Sequence, residues 1–243
     1  MRTFTIYKRE LSSYLGQLTA YIAIFIFLVF IMIMTFAVSS FMQVGDANLH
    51  NTFFYWHPLI YIILVPMVGM RMWSEEHRSN TIELLGTYPI SMWSTILGKY
   101  LAVATIWFIA ITLTFPIWIT VNFLGNPDNF VIFAGYLGSF LVCCSYLAIT
   151  SLVSAFTKDQ VVTLVLSCFV CFFVYLIGFD VVSRWVQNVA GRNIAELFSS
   201  AGVWSHFHSI HIGNFRIQDI VWFITVISTC LIGTNFILQS KRA

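Results

Sequence analysis

The stretch Gln160–Phe179 reads QVVTLVLSCFVCFFVYLIGF and contains no Asp, Glu, Lys or Arg. About 20 apolar residues in a helix cross about 30 Å of hydrocarbon, so this stretch predicts a membrane-spanning helix. The composition of the chain agrees: 59% of its 243 residues are hydrophobic and 9% are charged, whereas a soluble domain carries about 25% charge. The mean hydropathy is +0.85. The sequence therefore predicts an integral membrane protein.

Five further intervals have no charged residue over a length that can cross a membrane: Leu11–Gly45, Ala47–Met70, Tyr100–Pro127, Asn129–Thr157 and Ile220–Ser240. A helix satisfies its own backbone hydrogen bonds in lipid. We therefore predict an all-α integral membrane protein with six transmembrane helices, at 17–42, 54–73, 99–121, 130–153, 161–182 and 218–239. The whole chain, 1–243, is expected to form one transmembrane domain.

The distribution of Lys and Arg predicts the orientation. With the N-terminus inside, nine of the twelve basic residues lie in the cytoplasm, and only Arg184, Arg192 and Arg216 lie outside. The positive-inside rule therefore favours cytoplasmic termini. In residues 1–16, apolar side chains recur at helical spacing between basic ones, which predicts an amphipathic interfacial helix on the cytoplasmic surface. A plain extension of the first span is the alternative.

Charge is concentrated between the second and third spans. Arg71, Glu75, Glu76, Arg78 and Glu83 fall within thirteen consecutive positions, whereas most other stretches avoid charge. Span two is expected to continue as a helix past the membrane surface through Glu76. This segment is therefore where we expect the protein to meet water and a partner.

A short helix is predicted next in the same segment. Ser79 or Asn80 caps the helix Thr81–Gly86, which has Ile82 and Leu85 on one face, and Ser91 caps the helix that leads into span three. Two apolar side chains with an acidic rim fit a groove on a soluble partner. A solvated loop with no partner is the alternative interpretation.

The predicted spans offer little chemistry of their own. The uncharged intervals hold no Asp, Glu, Lys or Arg, although ion-coupled carriers usually keep an ionisable residue near mid-membrane. No GxxxxGK[ST] phosphate-binding loop occurs in the chain. Energy for transport would therefore have to enter from another polypeptide. The net charge of +2 and the absence of a basic run argue against nucleic-acid binding.

The cytoplasmic segment resembles the motif of the ABC-2 type transporter permeases, in particular the branch that includes the gliding-motility-associated permease of bacteria. The motif stands here as Arg71, Ser74-Glu75-Glu76, Asn80-Thr81-Ile82-Glu83-Leu84-Leu85, Pro89 and Leu97-Gly98-Lys99. Asn80 replaces the usual glycine, and Asn tolerates turn and capping geometry well. Matches also occur at Lys8–Tyr14, Gly135–Gly138, Ser154–Gln160 and between Ser205 and Asp219.

The last of these matches bears on a possible metal site. His206, His208 and His211 form H-x-H-x-x-H, and imidazole is a ligand that zinc and copper use. The family pattern accounts for His206 without a metal, which leaves two His as interfacial residues. We therefore predict no metal-binding, catalytic or cofactor-binding residue in this chain.

The resemblance implies a function. The chain would pair with a second permease, either another copy or a homologue, and the pair would bind a dimer of cytoplasmic ABC ATPase subunits, which would hold the ATP and Mg²⁺. Ten residues would couple the permease to that ATPase: Arg71, Glu75, Glu76, Arg78, Thr81, Ile82, Glu83, Leu85, Lys158 and Asp159. The implied machine is an exporter, or acts on the cell envelope, in the bacterial inner membrane.

The resemblance also implies further partners, namely membrane lipids and an auxiliary membrane protein with a large extracytoplasmic domain. The permease itself would not be an enzyme. An ion-coupled secondary carrier and a non-transporting membrane scaffold are the alternative functions.

Overall fold

A computed structural model describes residues 2–39, 41, 49–79 and 91–240. This part of the chain is built of helices, with no strand among the described residues. The helices are α1 Arg2–Leu15, α2 Leu18–Ile33, α3 His57–Gly69, α4 Arg71–Arg78, α5 Met92–Thr112, α6 Phe115–Leu124, α7 Asn129–Phe156, α8 Gln160–Ile177, α9 Asp180–Ala190, α10 Arg192–Ser199, α11 Val203–His211 and α12 Ile217–Ser240. A π-helical turn, Met34–Val38, follows α2, and a 3₁₀ turn, Phe54–Trp56, precedes α3.

Among the described residues, five helical stretches are long and apolar enough to cross a membrane: Leu18–Val38, Met92–Leu124, Asn129–Phe156, Gln160–Ile177 and Ile217–Ser240. The predicted second span, 54–73, is interrupted at Met70, where α3 ends and α4 begins. With 13 residues, α3 rises about 20 Å, which is less than the thickness of the hydrocarbon. The all-α membrane fold is confirmed, and the number of six spans stays a prediction.

Helix α7 is the centre of the bundle. It packs against α3, α5, α8, α11 and α12. Small residues on α7 let these neighbours approach closely: a Cβ on Gly135 would lie 2.4 Å from the ring of Phe54, and a Cβ on Gly138 would lie 2.9 Å from Ile210. The glycines of the Gly135–Gly138 match therefore have a packing reason.

The two ends of α7 define two faces of the molecule. The proximal face lies at the C-terminal end of α7 and carries α1, α4 and the beginning of α8. The distal face lies at the N-terminal end of α7 and carries α6, α9, α10 and α11.

Aromatic rings fill the bundle between α2, α3 and α5. The ring of Phe27 contacts His57, Tyr61 and Trp107 at centroid distances of 5.4–5.9 Å. The hydroxyl of Ser139 on α7 lies 2.7 Å from Nδ1 of His57 and 2.8 Å from the hydroxyl of Tyr61. His57 is thus a fully buried residue of the core.

Helix α1 is separated from α2 by a turn at Gly16 and Gln17 and packs along α5. Gly98 makes this approach possible, because a Cβ there would lie 2.8 Å from Ile6. The hydroxyl of Tyr7 lies 3.1 Å from Oγ1 of Thr105. The amphipathic segment is therefore a separate helix that lies against α5.

On the distal face, the end of α8 meets the start of α11 backbone to backbone. A Cβ on Gly202 would lie 2.0 Å from the backbone nitrogen of Gly178, and a Cβ on Gly178 would lie 2.9 Å from the nitrogen of Ser205. No flexible side chain is available to move aside, so the contact requires glycine.

We expect Gly202→Ala to destabilise the protein by about 3 kcal/mol, because overpacking at a backbone contact forces two helices apart. Thermal unfolding in detergent measures the effect as a lower Tm. Gly16→Ala is the matched control, since its Cβ would make only ordinary contacts at 3.5 Å. Equal Tm values for the two variants would contradict the Gly178–Gly202 contact.

Candidate functional site

Helix α4 emerges from the bundle on the proximal face. The backbone nitrogen of Met70 still donates to the carbonyl of Pro66 at 2.8 Å, and the helix resumes at Arg71 and ends at Arg78. The predicted continuation of span two through Glu76 therefore exists, with an interruption at Met70.

Ser154 of α7 holds the beginning of α4. Its hydroxyl oxygen accepts hydrogen bonds from the backbone nitrogens of Trp73 and Ser74, both at 3.0 Å, and donates to the carbonyl of Met70 at 3.1 Å. The first nitrogens of a helix have no partner within that helix. A side chain from another helix therefore acts here as the N-terminal cap.

Two further bonds fix the same side of α4 to α7. The indole Nε1 of Trp73 donates to the hydroxyl of Ser151 at 3.2 Å, and Nε2 of His77 donates to the carbonyl of Ala155 at 2.9 Å. Trp73 and His77 are four residues apart, which places them on one face of the helix. Displacing α4 therefore requires breaking these bonds or moving α7.

Lys99 joins α4 to α1 and α5. Its ammonium group lies 2.8 Å from the carboxylate of Glu76 and 3.7 Å from that of Glu10, and it donates to the carbonyl of Met72 at 2.9 Å. It also lies 5.2 Å from the ring centroid of Trp73, a cation–π distance. The Lys99 side chain is only 6% exposed, so these groups replace its water shell.

A polar cavity of about 190 Å³ lies beside this cluster, lined by Glu10, Ser13, Tyr14, Gln17, Arg71, Glu75, Glu76 and Lys99. Burial, and then the negative charges of the three glutamates, raise the pKa of Tyr14. The Tyr14 hydroxyl therefore stays protonated. The guanidinium group of Arg71, which also lines the cavity, donates a hydrogen bond to the side-chain oxygen of Gln17 at 2.9 Å and a longer one to that of Gln160 at 3.4 Å.

The structure describes six of the ten predicted coupling residues. Arg71 and Glu76 have the partners given above, whereas Glu75 and Arg78 are exposed on α4. Lys158 is exposed in the turn before α8. Thr81, Ile82, Glu83 and Leu85, together with the predicted helix 81–86, lie outside the described residues. The Arg71–Gln160 contact brings α4 next to the Lys158–Asp159 turn.

Two of the predicted helices begin next to a side chain that caps them. The carboxylate of Asp159 accepts from the backbone nitrogens of Val161 at 2.7 Å and Val162 at 3.4 Å, which caps α8. The hydroxyl of Ser91 accepts from the nitrogen of Ser94 at 3.4 Å, which caps α5. Asp159 was predicted as a partner contact; its carboxylate caps its own helix, and the contact stays a prediction.

The histidines of the H-x-H-x-x-H pattern lie on the distal face. Nδ1 of His206 lies 2.6 Å from the carboxylate of Asp219, and Nε2 donates to the carbonyl of Ser200 at 2.8 Å. Both ring nitrogens of His206 thus have an oxygen within hydrogen-bond distance, one on Asp219 and one on Ser200. Within the part of the chain that the structure describes, no group of three or more His, Cys, Asp or Glu could hold a metal ion.

Sequence reasoning missed Lys99, Glu10, Ser151 and Ser154 as parts of the site. Three of them lie in segments that match the family pattern, namely Leu97-Gly98-Lys99, Lys8–Tyr14 and Ser154–Gln160. The family match could have drawn attention to these three residues, but it does not indicate which side chains they contact. Ser151 carries no signal, because buried serines are common on this helix.

The helices and the buried charge cluster define a multi-pass membrane protein. A family model described as ABC-2 family transporter protein matches residues 5–242. The chain therefore belongs to this family of membrane transport permeases, whose members generally work with an ABC ATPase. A search of curated proteins finds no match.

We expect Lys99→Met to destabilise the protein by about 2 kcal/mol, because the nearly buried carboxylate of Glu76 loses the ammonium group 2.8 Å away, while Glu10 keeps Arg9 at 2.7 Å. The value is below that for a deep ion pair, since the cluster adjoins a polar cavity. Lys8→Met, at an exposed lysine of α1, is the control and should leave the Tm unchanged.

Adding Glu76→Gln to Lys99→Met should restore part of the lost stability, since the carboxylate that has lost the Lys99 ammonium group is then also replaced by a neutral amide. A double-mutant cycle in thermal unfolding measures this coupling. Simple additivity of the two substitutions would show that the Lys99–Glu76 pair does not act as a unit.

Proposed function

We propose that this chain is the membrane-spanning subunit of an ATP-driven ABC-2 transporter, and that the segment from Arg71 to Ser91 receives the work of a separate cytoplasmic ATPase. The observation that supports this most is the anchoring of α4. One short helix is bonded to α7 through Ser154 and, through Lys99, to α1 and α5. Force applied beyond the end of α4 would reach four helices.

The contact itself would be made by residues that follow α4 and by those exposed on it. Ile82 and Leu85 would enter a groove on the ATPase, with Glu75, Arg78 and Glu83 as polar contacts around them. Thr81 would start the helix, and the turn with Lys158 and Asp159 would be a second, smaller contact. Asp159 would act there through the turn it stabilises.

The proposed cycle follows from this geometry. Closure of the ATPase dimer on ATP and Mg²⁺ would push the segment after α4. Because the bonds from Ser151, Ser154 and Ala155 tie α4 to the end of α7, α7 would move with it. Helices α1 and α5 would follow through Lys99. The partner ATPase would do the hydrolysis, and this chain would change shape.

The wider assembly is proposed on the family resemblance. One transmembrane domain, with six spans and an interfacial helix, would pair with a second permease copy in a bacterial inner membrane, with both termini in the cytoplasm. It would export a substrate or act on the envelope. As the resemblance to the gliding-motility branch implies, an auxiliary membrane protein with a large extracytoplasmic domain would recognise the substrate.

Ile82→Asp tests the contact. The ATPase that co-purifies with the chain in mild detergent is reconstituted with it, and ATP hydrolysis is measured with and without the permease. We expect Ile82→Asp to lose both co-purification and stimulated hydrolysis while still inserting into the membrane, since a carboxylate cannot enter an apolar groove at low cost. Ile82→Leu should retain both. Full stimulation by Ile82→Asp would remove the coupling assignment.

Ser154→Ala tests transmission separately from docking. We expect the variant to bind the ATPase normally but to lower stimulated hydrolysis several-fold, because the start of α4 loses a cap worth about 1 kcal/mol. Ser228→Ala, at an exposed serine of α12, is the control. If both variants stimulate hydrolysis equally, α4 does not carry the force through Ser154.

A further inference from the structure

Helices α9 and α10 form a hairpin on the distal face that packs chiefly on itself. Gly191 joins the two helices with φ at +88°, a backbone conformation that favours glycine. The hairpin leaves large apolar side chains uncovered: Trp185 is 68% exposed, Ile194 is 53% exposed and Leu197 is 74% exposed.

These side chains belong to amphipathic helices. On α9, Trp185 shares a face with the half-buried Val182, and Gln187 points to the opposite side, two residues further on. On α10, Ile194, Leu197 and Phe198 fall at helical spacing on one side. Each helix therefore has an apolar face that the described part of the protein does not cover.

The position of the hairpin indicates what covers it. Helix α9 begins three residues after the end of α8, so its start lies within about 11 Å of a membrane-spanning helix. The exposed side of α8 is apolar in its last turns, with Phe172 and Phe173 exposed, and Ile217 at the start of α12 is 80% exposed. The hairpin thus directly follows a helix that is long and apolar enough to cross a membrane and whose exposed side chains are apolar.

The chemistry of the exposed residues also fits lipid. Tryptophan is enriched at the membrane–water interface, where its ring bridges apolar and polar surroundings. Helices with one apolar and one polar face lie in the interface plane with the apolar side at the boundary between headgroups and acyl chains.

We propose that α9 and α10 form a monotopic anchor that inserts Trp185, Ile194 and Leu197 into the distal leaflet. The partner of this surface is the phospholipid layer itself. The anchor holds the end of α8 and the start of α11, which meet at Gly178 and Gly202, at a fixed depth. The proposal does not depend on ATPase coupling.

The test uses the whole chain in nanodiscs of phosphatidylcholine and phosphatidylglycerol. A cysteine introduced as Leu197→Cys is labelled with an environment-sensitive fluorophore, and Gln187→Cys is the matched exposed control. The five native cysteines lie in α7, α8 and α12, and the unsubstituted chain treated in the same way gives their background. Quenching by aqueous iodide and by lipid with a nitroxide near the headgroup is measured for each.

We expect iodide to quench the label at 197 at least about threefold less than the label at 187, and the nitroxide lipid to quench it more. Ile194→Cys should behave like Leu197→Cys, which keeps the test valid if one variant folds poorly. Equal access of iodide to positions 187 and 197 would overturn the proposal. Protection of 197 from iodide without quenching by the nitroxide lipid would also overturn it, because the cover would then be a protein surface.

Discussion

The ammonium group of Lys99 is nearly buried at the proximal face, and the arrangement of that face follows from this. A buried charge costs several kcal/mol unless charged and polar partners surround it. Lys99 finds them in Glu76, Glu10 and the carbonyl of Met72. Glu76 and Met72 belong to α4, Glu10 belongs to α1, and Lys99 itself belongs to α5. Surrounding this one charge with partners therefore fixes the positions of three helices.

Helix α7 extends this constraint through the bundle. Its C-terminal serines hold α4, and its N-terminal glycines receive Phe54 and Ile210. With 28 residues, it rises about 42 Å without interruption. A single uninterrupted helix therefore connects Ser154 on the proximal face with the distal face.

The distal face has a different organisation. There backbone atoms come into close contact at Gly178 and Gly202, and polar contacts such as that of His206 with Asp219 join residues near each other in the sequence. Contacts between α9, α10 and lipid would hold the distal face in place, whereas hydrogen bonds between helices hold the proximal face together. Helix α8 runs between the two, capped by Asp159 at one end and leading into α9 at the other.

The sequence by itself determined the class of the protein, most of its spanning helices and the charged segment that continues as α4, because hydropathy and helix caps are local properties of the chain. It could not place Lys99, Ser154 or the interruption at Met70. Those depend on partners far away in the sequence, such as Met72 for Lys99, 27 positions away, and Met70 for Ser154, 84 positions away. A periodic pattern describes one helix at a time. Only the tertiary structure decided which buried polar groups meet, since each is stable only where another helix supplies its hydrogen-bond partner.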